Sequence, residues 1–445
     1  MQQNNIMTLQ LSMSAILNRM KITSLRYLKY LAKWNPFALV WCLNLWFFEI
    51  MLINLYIWGC YWPRVGLKDQ VNALVIADPQ LTDAYSYKQS RGILLSLTEF
   101  YSDIYMKRNF ARLQSSLNPS VVIFVGDLMD GGREWTDAQY INNSLNDRFY
   151  EELVRFRKVF RLRNEKTLTL GVAGNHDIGF GYTIIPYAYS RYLSTFGRLN
   201  TITTVANHSI IALDTIGLSG RPESQAYKTA HEFLQSLTLD SVGPERRILL
   251  THVPFWRPEN SECGPRRRAK PLTNRRGYQY QNFIQPDIAN NVLRAIKPDL
   301  IISGDDHDDC VYVHRIDGME ITEHSVGTFS WLQGNIYPAV GVMSFRPLHA
   351  KPYSMDAKSY SLEICSLPQQ LPIYYWYICL LVISLVGNVI VSYRNWNRHN
   401  VPLTPNNTFL TNLPGFLKFS WKQIMEMIFV TLCFYSLILF YLWIL

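Results

Sequence analysis

Cysteine is scarce in the central part of this chain. Four of the seven cysteines in 445 residues lie in or beside apolar runs, and the other three are Cys263, Cys310 and Cys365. No two cysteines are spaced C-x-x-C. This pattern excludes a disulfide scaffold and provides no cysteine-based zinc motif. One disulfide among the three central cysteines fits the sequence, which leaves the pairing open.

Acidic residues are missing from the first 48 positions, which hold several Lys and Arg residues between Arg19 and Lys33. The run 36–62 is almost wholly apolar, with Glu49 as its one charge, and exceeds the ~20 residues that cross a bilayer. It starts too far into the chain for an ordinary signal peptide and shows no small-residue cleavage pattern. We therefore predict a transmembrane signal anchor at 36–62, with a cytosolic segment at 1–35.

Two further apolar runs predict transmembrane helices at 371–393 and 423–445. The link 394–422 contains no acidic residue, and its basic residues are Arg394, Arg398, Lys418 and Lys422. Basic loops stay on the cytosolic side, so this link is predicted to be cytosolic and 63–370 to be lumenal. Buried core helices are the alternative, and the length and basic flanks of the runs argue against it.

Three N-x-S/T sequons bear on this predicted topology. Asn142 and Asn207 lie in the predicted lumenal part and are candidate glycosylation sites of a glycoprotein. Asn406 lies in the predicted cytosolic link and is expected to stay bare.

Within 63–370, five short apolar runs each end in polar side chains that suit metal ions. The runs are NALVIADPQ, VVIFVGDLMDGG, TLTLGVAGNHD, RILLTHVP and LIISGDDHDD. Near-continuous apolar strands are buried on both faces, and ligands gather at the carboxyl ends of such strands in α/β proteins. The pattern therefore predicts an α/β domain with one polar edge. The residues at that edge are Asp78, Gln80, Asp127, Asn175, His176, Asp177, His252, Asp305 and His307.

The ordered set D-x-Q, G-D, G-N-H-D, T-H and G-D-x-H resembles the signature of the calcineurin-like metallophosphoesterases. The resemblance implies a β-sandwich flanked by helices that carries two divalent metal ions. One metal would be held by Asp78, Gln80 and His307, the other by Asn175, His252 and Asp305, and Asp127 would bridge them. His176 would be the general acid, with Asp177 orienting its ring.

Hydrolysis of a phosphodiester explains why such residues are needed. The diester is anionic and repels hydroxide, and two cations neutralise it while making a bridging hydroxide available as the nucleophile. The leaving alkoxide is strongly basic, so an imidazolium that donates a proton accelerates its departure.

The chain departs from the usual superfamily pattern at two positions. Gln80 and Asp305 stand where histidines are usual, so the predicted site offers five oxygen donors and two imidazoles. Oxygen-rich sites favour manganese or magnesium over zinc, and we predict Mn²⁺. The departures also leave open a decayed site that binds without turnover, as in a cargo adaptor that only binds glycans.

Further stretches narrow the resemblance. D-P-Q, G-D-D-H-D, THVPFWRP, CGP and GYQYQN resemble the fungal branch of the GPI-anchor remodelling phosphoesterases. This implies removal of ethanolamine phosphate from a mannose of the GPI glycan, with GPI lipid or GPI-anchored proteins as substrates. It also implies the endoplasmic-reticulum membrane, with the Golgi as the alternative. Another phospholipid or a nucleotide is the alternative substrate.

Seven Arg and Lys residues crowd positions 256–278, here called the basic segment. It is interpreted either as a surface for anionic lipid headgroups or anchor phosphates, or as a solvated charged loop. Nucleic acid is not an expected partner in a lumen. Candidate substrate contacts are Arg257 in this segment and, beyond the last motif, Glu323 and His324.

Overall fold

The computed structural model describes residues 35–65, 69–87, 91–135, 148–237, 246–347, 359–400 and 409–444. The chain divides into two compact units. One unit contains the described residues up to Leu52 together with Leu371–Ile444, and the other is Ile53–Gln370. Each unit is described by itself below.

The apolar helices lie mainly in the first unit, and the end of the first helical run, from Ile53 to Trp58, belongs to the second. Pro36–Trp46 continues through a π-helical turn, Phe47–Met51, into Leu52–Trp58. The other two helices are Gln370–Asn400 and Phe409–Ile444. Stretches of all three, Pro36–Trp58, Gln370–Asn397 and Leu413–Ile444, are long and apolar enough to cross a membrane.

Two polar side chains of this unit have hydrogen-bond partners within it. The Asn35 side chain accepts a hydrogen bond from the backbone of Ala38, which caps the first helix beside Pro36 at its first turn. Glu49, the one charge in the first run, accepts a hydrogen bond from the Tyr377 hydroxyl at 2.9 Å. The Glu49 carboxylate lies within an apolar helix and thus has a hydrogen-bond donor on another helix.

The predicted loop 394–422 is mostly helical in the structure. The second apolar helix extends to Asn400 and the third begins at Phe409. The sequence prediction ended each helix where the apolar run ended. Polar residues such as Lys and Arg are good helix formers, so a helix continues beyond the stretch that is apolar.

The second unit contains two larger sheets. Its strands are β1 Val71–Ile76, β2 Val121–Val125, β3 Leu168–Val172, β4 Thr201–Val205, β5 His208–Ala212, β6 Arg247–Leu250, β7 Arg276–Gly277, β8 Tyr280–Gln281, β9 Leu300–Ser303, β10 Cys310–Ile316, β11 Met319–Ser325, β12 Ala339–Phe345 and β13 Tyr360–Ser366. The first sheet has the order β13-β12-β1-β2-β3 and the second β10-β11-β9-β6-β5-β4. β7 and β8 form a separate hairpin.

Within each sheet, the strands that precede the motifs are parallel to one another. β1, β2 and β3 are parallel in the first sheet, as are β5, β6 and β9 in the second. The carboxyl ends of parallel strands lie at one edge of a sheet. This topology brings the five motifs to the same side of the two sheets.

Burial on both faces explains the continuous apolar runs. Ala73 and Val75 of β1 belong to a core cluster that includes residues from both sheets, such as Ile248 of β6. Their neighbours Leu74 and Ile76 belong to a different cluster, which includes residues of the flanking helices. Successive side chains of a strand alternate between faces, so each strand needs apolar residues throughout.

Helices flank these sheets. The described helices of this unit are Ile93–Leu117, Arg148–Val159, Asn175–Ile178, Pro186–Phe196, Thr215–Leu218, Gln225–Ser236 and Pro286–Ile296, with a 3₁₀ turn at Gly181–Thr183. Two sheets with a shared core and flanking helices confirm the predicted α/β sandwich.

Two disulfides stabilise the second unit. Cys263 pairs with Cys310, which is one of the pairings that the sequence left open. Cys60 pairs with Cys365 across 305 residues, with 5.4 Å between their Cα atoms. The sequence prediction missed this bridge because Cys60 lies beside an apolar run, and because distance along the chain says nothing about distance in the fold.

Candidate metal centre

Three buried side chains form the centre of the site. Asp78 follows β1, Asp127 follows β2 and His252 follows β6. One ligand atom from each lies within 4.8 Å of the other two, as expected of residues in one metal cluster. The cluster lies at the strand ends where the sequence placed it.

His252 faces oxygen atoms from three other strand ends. Its Nε2 lies 3.3 Å from Asp127 Oδ1, 3.2 Å from Asn175 Oδ1 and 3.5 Å from Asp305 Oδ1. Its Nδ1 lies 2.7 Å from the carbonyl oxygen of Val125. A hydrogen bond from Nδ1 to a carbonyl fixes the tautomer in which Nε2 is free to bind a metal.

His307 shows the same arrangement at its own ring. Its Nδ1 lies 3.0 Å from the carbonyl oxygen of Gln333, which again leaves Nε2 as the free nitrogen. His307 is close enough to Asp78 for its charge to lower the pKa of the Asp78 carboxyl. Burial raises the pKa of Asp78 to about 7, while the charges of His307 and His252 act in the opposite direction.

The two carboxylate oxygens of Asp127 contact different residues of the site. Its Oδ1 accepts the backbone N–H of His176 at 2.8 Å and lies close to His252 Nε2. Its Oδ2 accepts a hydrogen bond from the Gln80 side-chain amide at 2.6 Å. Burial alone would raise the pKa of Asp127, but the charges of His252 and His176 outweigh burial and hold it well below its ordinary value. Asp127 is therefore an anion that faces both halves of the predicted ligand set.

The residues present fit divalent cations. The Gln80 Oε1 atom is buried and has no hydrogen-bond partner in the structure, although buried oxygens are normally paired. His252 Nε2 lies among oxygens that carry negative charge, an arrangement that a cation between them would stabilise. The donors here are carboxylate, amide and imidazole groups, and the described cluster contains no thiolate. Such an oxygen-rich set suits Mn²⁺ or Mg²⁺ better than Zn²⁺.

The backbone at these positions is strained. Asp78, Gln80, Asp127, Asp305 and His307 all have positive φ angles, between 37° and 62°. Such conformations cost of order 1 kcal/mol or more for residues other than glycine and concentrate at functional sites. The packing of the sheets therefore holds these five side chains in place at the expense of local backbone energy.

Glycines make room for the cluster. A Cβ on Gly126 would lie 2.3 Å from His252 Nδ1, and a Cβ on Gly174 would lie 2.0 Å from Asp127 Oδ1. These contacts are far shorter than van der Waals distance. The glycines before Asp127 and Asn175 are thus required by the close approach of neighbouring strand ends.

His176 lies at the edge of the cluster and contacts Asp130. Its Nδ1 lies 3.0 Å from the Asp130 carboxylate and 2.6 Å from the Asp130 carbonyl oxygen. Burial lowers the pKa of His176, but Asp127 and Asp130 outweigh burial and raise it to about 9. The geometry thus favours an imidazolium beside the metal-binding residues.

The role predicted for Asp177 is corrected by this geometry. Its Oδ1 accepts the backbone N–H groups of Leu128 and Met129, and its Oδ2 accepts that of Gly174. Asp177 therefore fixes the G-N-H-D turn against the loop after β2. The carboxylate at the His176 ring is Asp130, which stands in the quoted run VVIFVGDLMDGG and was not singled out from the sequence.

Asp305 and Asp306 point to different partners. Asp305 lies near His252, and its backbone N–H donates to the Asp78 carboxylate at 3.1 Å. Asp306 accepts hydrogen bonds from Arg257 at 2.9 Å and Arg267 at 2.8 Å. The structure thus places Asp305, rather than its neighbour, at the candidate metal site.

The three candidate substrate contacts are buried and bonded to other protein groups. Arg257 donates to Asp306. Glu323 accepts hydrogen bonds from Ser303 and the backbone of Phe255, and it lies 2.7 Å from His314 Nε2. His324 Nε2 lies 2.7 Å from the Asp309 carboxylate. Their predicted contact with substrate is left without support, because each has a structural partner.

Comparisons with known proteins agree with this geometry. The family described as "Calcineurin-like phosphoesterase" matches residues 72–309. "Cell division control protein 1" of Saccharomyces cerevisiae is 32% identical over 361 residues, covering 75% of this chain and 70% of the relative. "Metallophosphoesterase 1" of Xenopus laevis is 27% identical over 373 residues, covering 77% of this chain and 85% of the relative. "Metallophosphoesterase 1 homolog" of Drosophila melanogaster is 26% identical, covering 65% of this chain and 77% of the relative.

The fold and the site therefore define a metal-dependent phosphoester hydrolase. The chain belongs to the calcineurin-like phosphoesterase family. This confirms the resemblance drawn from the five motifs, together with the predicted enzyme class.

Proposed function

We propose that this protein is a membrane-anchored, two-metal phosphodiesterase that removes ethanolamine phosphate from a mannose of the GPI glycan. The observation that carries the two-metal part is the position of Asp127, whose two carboxylate oxygens face Gln80 on one side and His252 on the other. A carboxylate in this position can bind two ions at once.

The ligand sets follow from this division. Asp78, Gln80 and His307 would hold one ion together with Asp127. Asn175, His252 and Asp305 would hold the other ion with the second Asp127 oxygen. Five of these seven residues bind through oxygen, which supports Mn²⁺ as the metal.

The chain's own residues provide the acid for the reaction. When bound, two cations would neutralise the diester oxygens and increase the acidity of a water molecule. The water molecule releases one proton to solvent as its oxygen forms the new bond to phosphorus, and the bond between phosphorus and the mannose oxygen breaks. His176, held by Asp130, donates its proton to that mannose oxygen. The products are phosphoethanolamine and a free mannose hydroxyl.

The choice of substrate is supported by sequence stretches that extend beyond the metal motifs. THVPFWRP, CGP and GYQYQN resemble the fungal GPI-remodelling branch. Three helices that can cross a membrane suit a lipid-linked substrate. Anchoring the enzyme in the same membrane raises the effective concentration of such a substrate.

The proposed topology places residues 63–370 in the lumen of the endoplasmic reticulum. Asn207 is exposed in the turn between β4 and β5, where a glycan can be attached. Asn142 and Asn406 lie outside the described residues. Site-by-site glycopeptide mapping should find glycan on Asn207 or Asn142 and none on Asn406. Glycan on Asn406 would reverse the proposed orientation of the C-terminal helices.

The reaction itself is tested with a defined GPI glycan in ¹⁸O-labelled water. We expect mass spectrometry to detect phosphoethanolamine that contains one ¹⁸O atom, and a mannose with a free hydroxyl. Release of free ethanolamine, with phosphate left on the sugar, would contradict the proposed bond cleavage. Absence of any release, from protein that hydrolyses other phosphodiesters, would favour another substrate.

A further inference from the structure

The middle of the basic segment is bonded to the run that follows β9. Arg267 donates to Asp306, and the backbone N–H groups of Arg268 and Ala269 both donate to the Asp308 carboxylate. The Cys263–Cys310 disulfide joins the same region to β10. These contacts connect the segment to the run that carries Asp305 and His307. The segment is therefore held in place by these contacts, while many of its side chains stay exposed to solvent.

The far end of the segment also reaches the site. The β7–β8 hairpin turns at Gln279, whose carbonyl oxygen accepts a hydrogen bond from Asn175 Nδ2 at 3.1 Å. The same Asn175 side chain presents its Oδ1 to His252. Beyond the hairpin, Ile284 bonds through its backbone to Pro254, two residues after His252. The hairpin is thus adjacent to a predicted metal ligand.

The arginines of the segment fall into two groups. Arg257 and Arg267 are buried against Asp306. Arg275 and Arg276, which open the hairpin, are exposed, and no carboxylate within the described ranges forms an ion pair with either. Tyr278 at the turn is 78% exposed. The hairpin therefore presents two guanidinium groups without carboxylate partners and an aromatic ring.

The hairpin places the backbone of Arg276 near the candidate metal centre. Arg276 is three residues from Gln279, a distance of at most about 11 Å along an extended chain. A substrate that a phospholipid holds in the membrane has a second phosphodiester besides the one that is cleaved. Guanidinium groups bind phosphate through paired, charge-assisted hydrogen bonds.

We propose that Arg275 and Arg276 of the β7–β8 hairpin form a subsite for a second phosphate of the substrate, beside the metal centre. The inference rests on the proposed function, since it requires a substrate with two phosphates. The subsite selects lipid-linked glycans over small diesters. Arg275 and Arg276 are positioning residues, because they act on the binding of the substrate and not on the bond that breaks.

The test uses the full chain in uncharged detergent micelles with two synthetic substrates. Both contain an ethanolamine-phosphate mannose, and only one also contains the lipid phosphate. In the Arg275→Ala/Arg276→Ala variant, kcat/KM for the two-phosphate substrate should fall about tenfold or more, mainly through KM. This corresponds to the loss of about 1.4 kcal/mol. The single-phosphate substrate should change less than about twofold.

A matched control removes two other arginine charges. Arg294 and Arg315 are exposed and pair with Asp317 and Glu320 on the surface. The Arg294→Ala/Arg315→Ala variant should behave like wild type towards both substrates. An Arg275→Lys/Arg276→Lys variant, which keeps the charge but loses the paired geometry, should lie between wild type and the alanine variant.

Binding to metal-stripped protein gives a readout independent of turnover. Calorimetry should show that wild type binds the two-phosphate substrate about tenfold more tightly than the single-phosphate one, and that the alanine variant loses this preference. If the variant treats the two substrates as wild type does, the subsite is refuted. If it instead loses binding to phosphatidylserine vesicles while keeping the preference, the arginines contact bilayer headgroups and the proposal is wrong. Failure of wild type to cleave either substrate would reject the proposed function, while the binding preference would still decide the subsite.

Discussion

Removal of the Asp130 carboxylate should impair catalysis through His176. The Asp130→Ala variant loses the oxygen that lies 3.0 Å from Nδ1 and keeps the backbone carbonyl oxygen at 2.6 Å. A hydrogen bond to a charged group contributes about 1.5–3 kcal/mol, and each 1.36 kcal/mol corresponds to a factor of ten in rate. We expect kcat to fall about tenfold to hundredfold, nearer tenfold because the carbonyl contact remains.

The pH profile should change together with the rate. Proton donation requires the imidazolium form, so activity declines as the pH rises through the pKa of His176. Asp127 and Asp130 raise that pKa against the effect of burial. Without Asp130 the pKa is lower, so the alkaline limb of kcat should move to lower pH. Metal content, measured by plasma mass spectrometry, should stay at the wild-type level.

Three comparison variants sharpen this prediction. His176→Asn should cost about 10²–10⁴ in kcat, and adding Asp130→Ala to it should cost little more, because both changes remove one catalytic unit. Asp177→Asn should instead lower stability, because its amide would face the Gly174 N–H. If Asp130→Ala kept the wild-type rate and the wild-type pH profile, the assignment of Asp130 to the His176 ring would be refuted.

Two further predictions concern the site and the stability of the fold. Gly174→Ala should abolish metal binding and activity, because its Cβ would lie 2.0 Å from the Asp127 carboxylate. Asp214→Asn should flatten the pH dependence of stability. Burial raises the pKa of Asp214 to about 7, so the folded protein holds this proton more tightly than the unfolded chain. The contribution of this proton to the free energy of unfolding is therefore fully present below about pH 4. It is lost as the pH rises towards 7, and the loss amounts to up to a few kcal/mol.

Both predictions have simple controls. Gly327→Ala should be tolerated, because the nearest atom to its Cβ is 3.6 Å away. Normal metal content in Gly174→Ala would show that the strand ends are not as close as described. For Asp214, the midpoint of thermal unfolding is compared with wild type from pH 4 to 8. A difference that stays constant over this range would contradict the pKa assigned to the buried carboxyl.

The five motifs could be predicted because each one is local. An apolar run followed by polar residues is visible in a few positions, as in the stretch that ends at Asp78 and Gln80. The continuous apolar runs indicated strands buried on both faces, and ligands gather at the carboxyl ends of such strands in α/β proteins. The three helices that are long and apolar enough to cross a membrane were equally visible, because a bilayer requires about 20 apolar residues in one continuous stretch.

Helix ends and charge partners were harder to predict. Polar residues such as Arg394 were interpreted as a loop, yet the helix continues through them to Asn400. Seven basic residues of the basic segment look alike in the sequence. Only the fold buries Arg257 and Arg267 against Asp306, and it leaves Arg275 and Arg276 exposed.

The sequence by itself determined the family, the sheet edge that carries the site and the seven candidate ligands, because these depend on short patterns along the chain. The tertiary structure decided which groups face each other. It placed Asp130 rather than Asp177 at the His176 ring and paired Cys60 with Cys365. A hydrogen bond or a disulfide depends on distances of a few ångströms between atoms, and these distances are set by the packing of strands that are far apart in the chain.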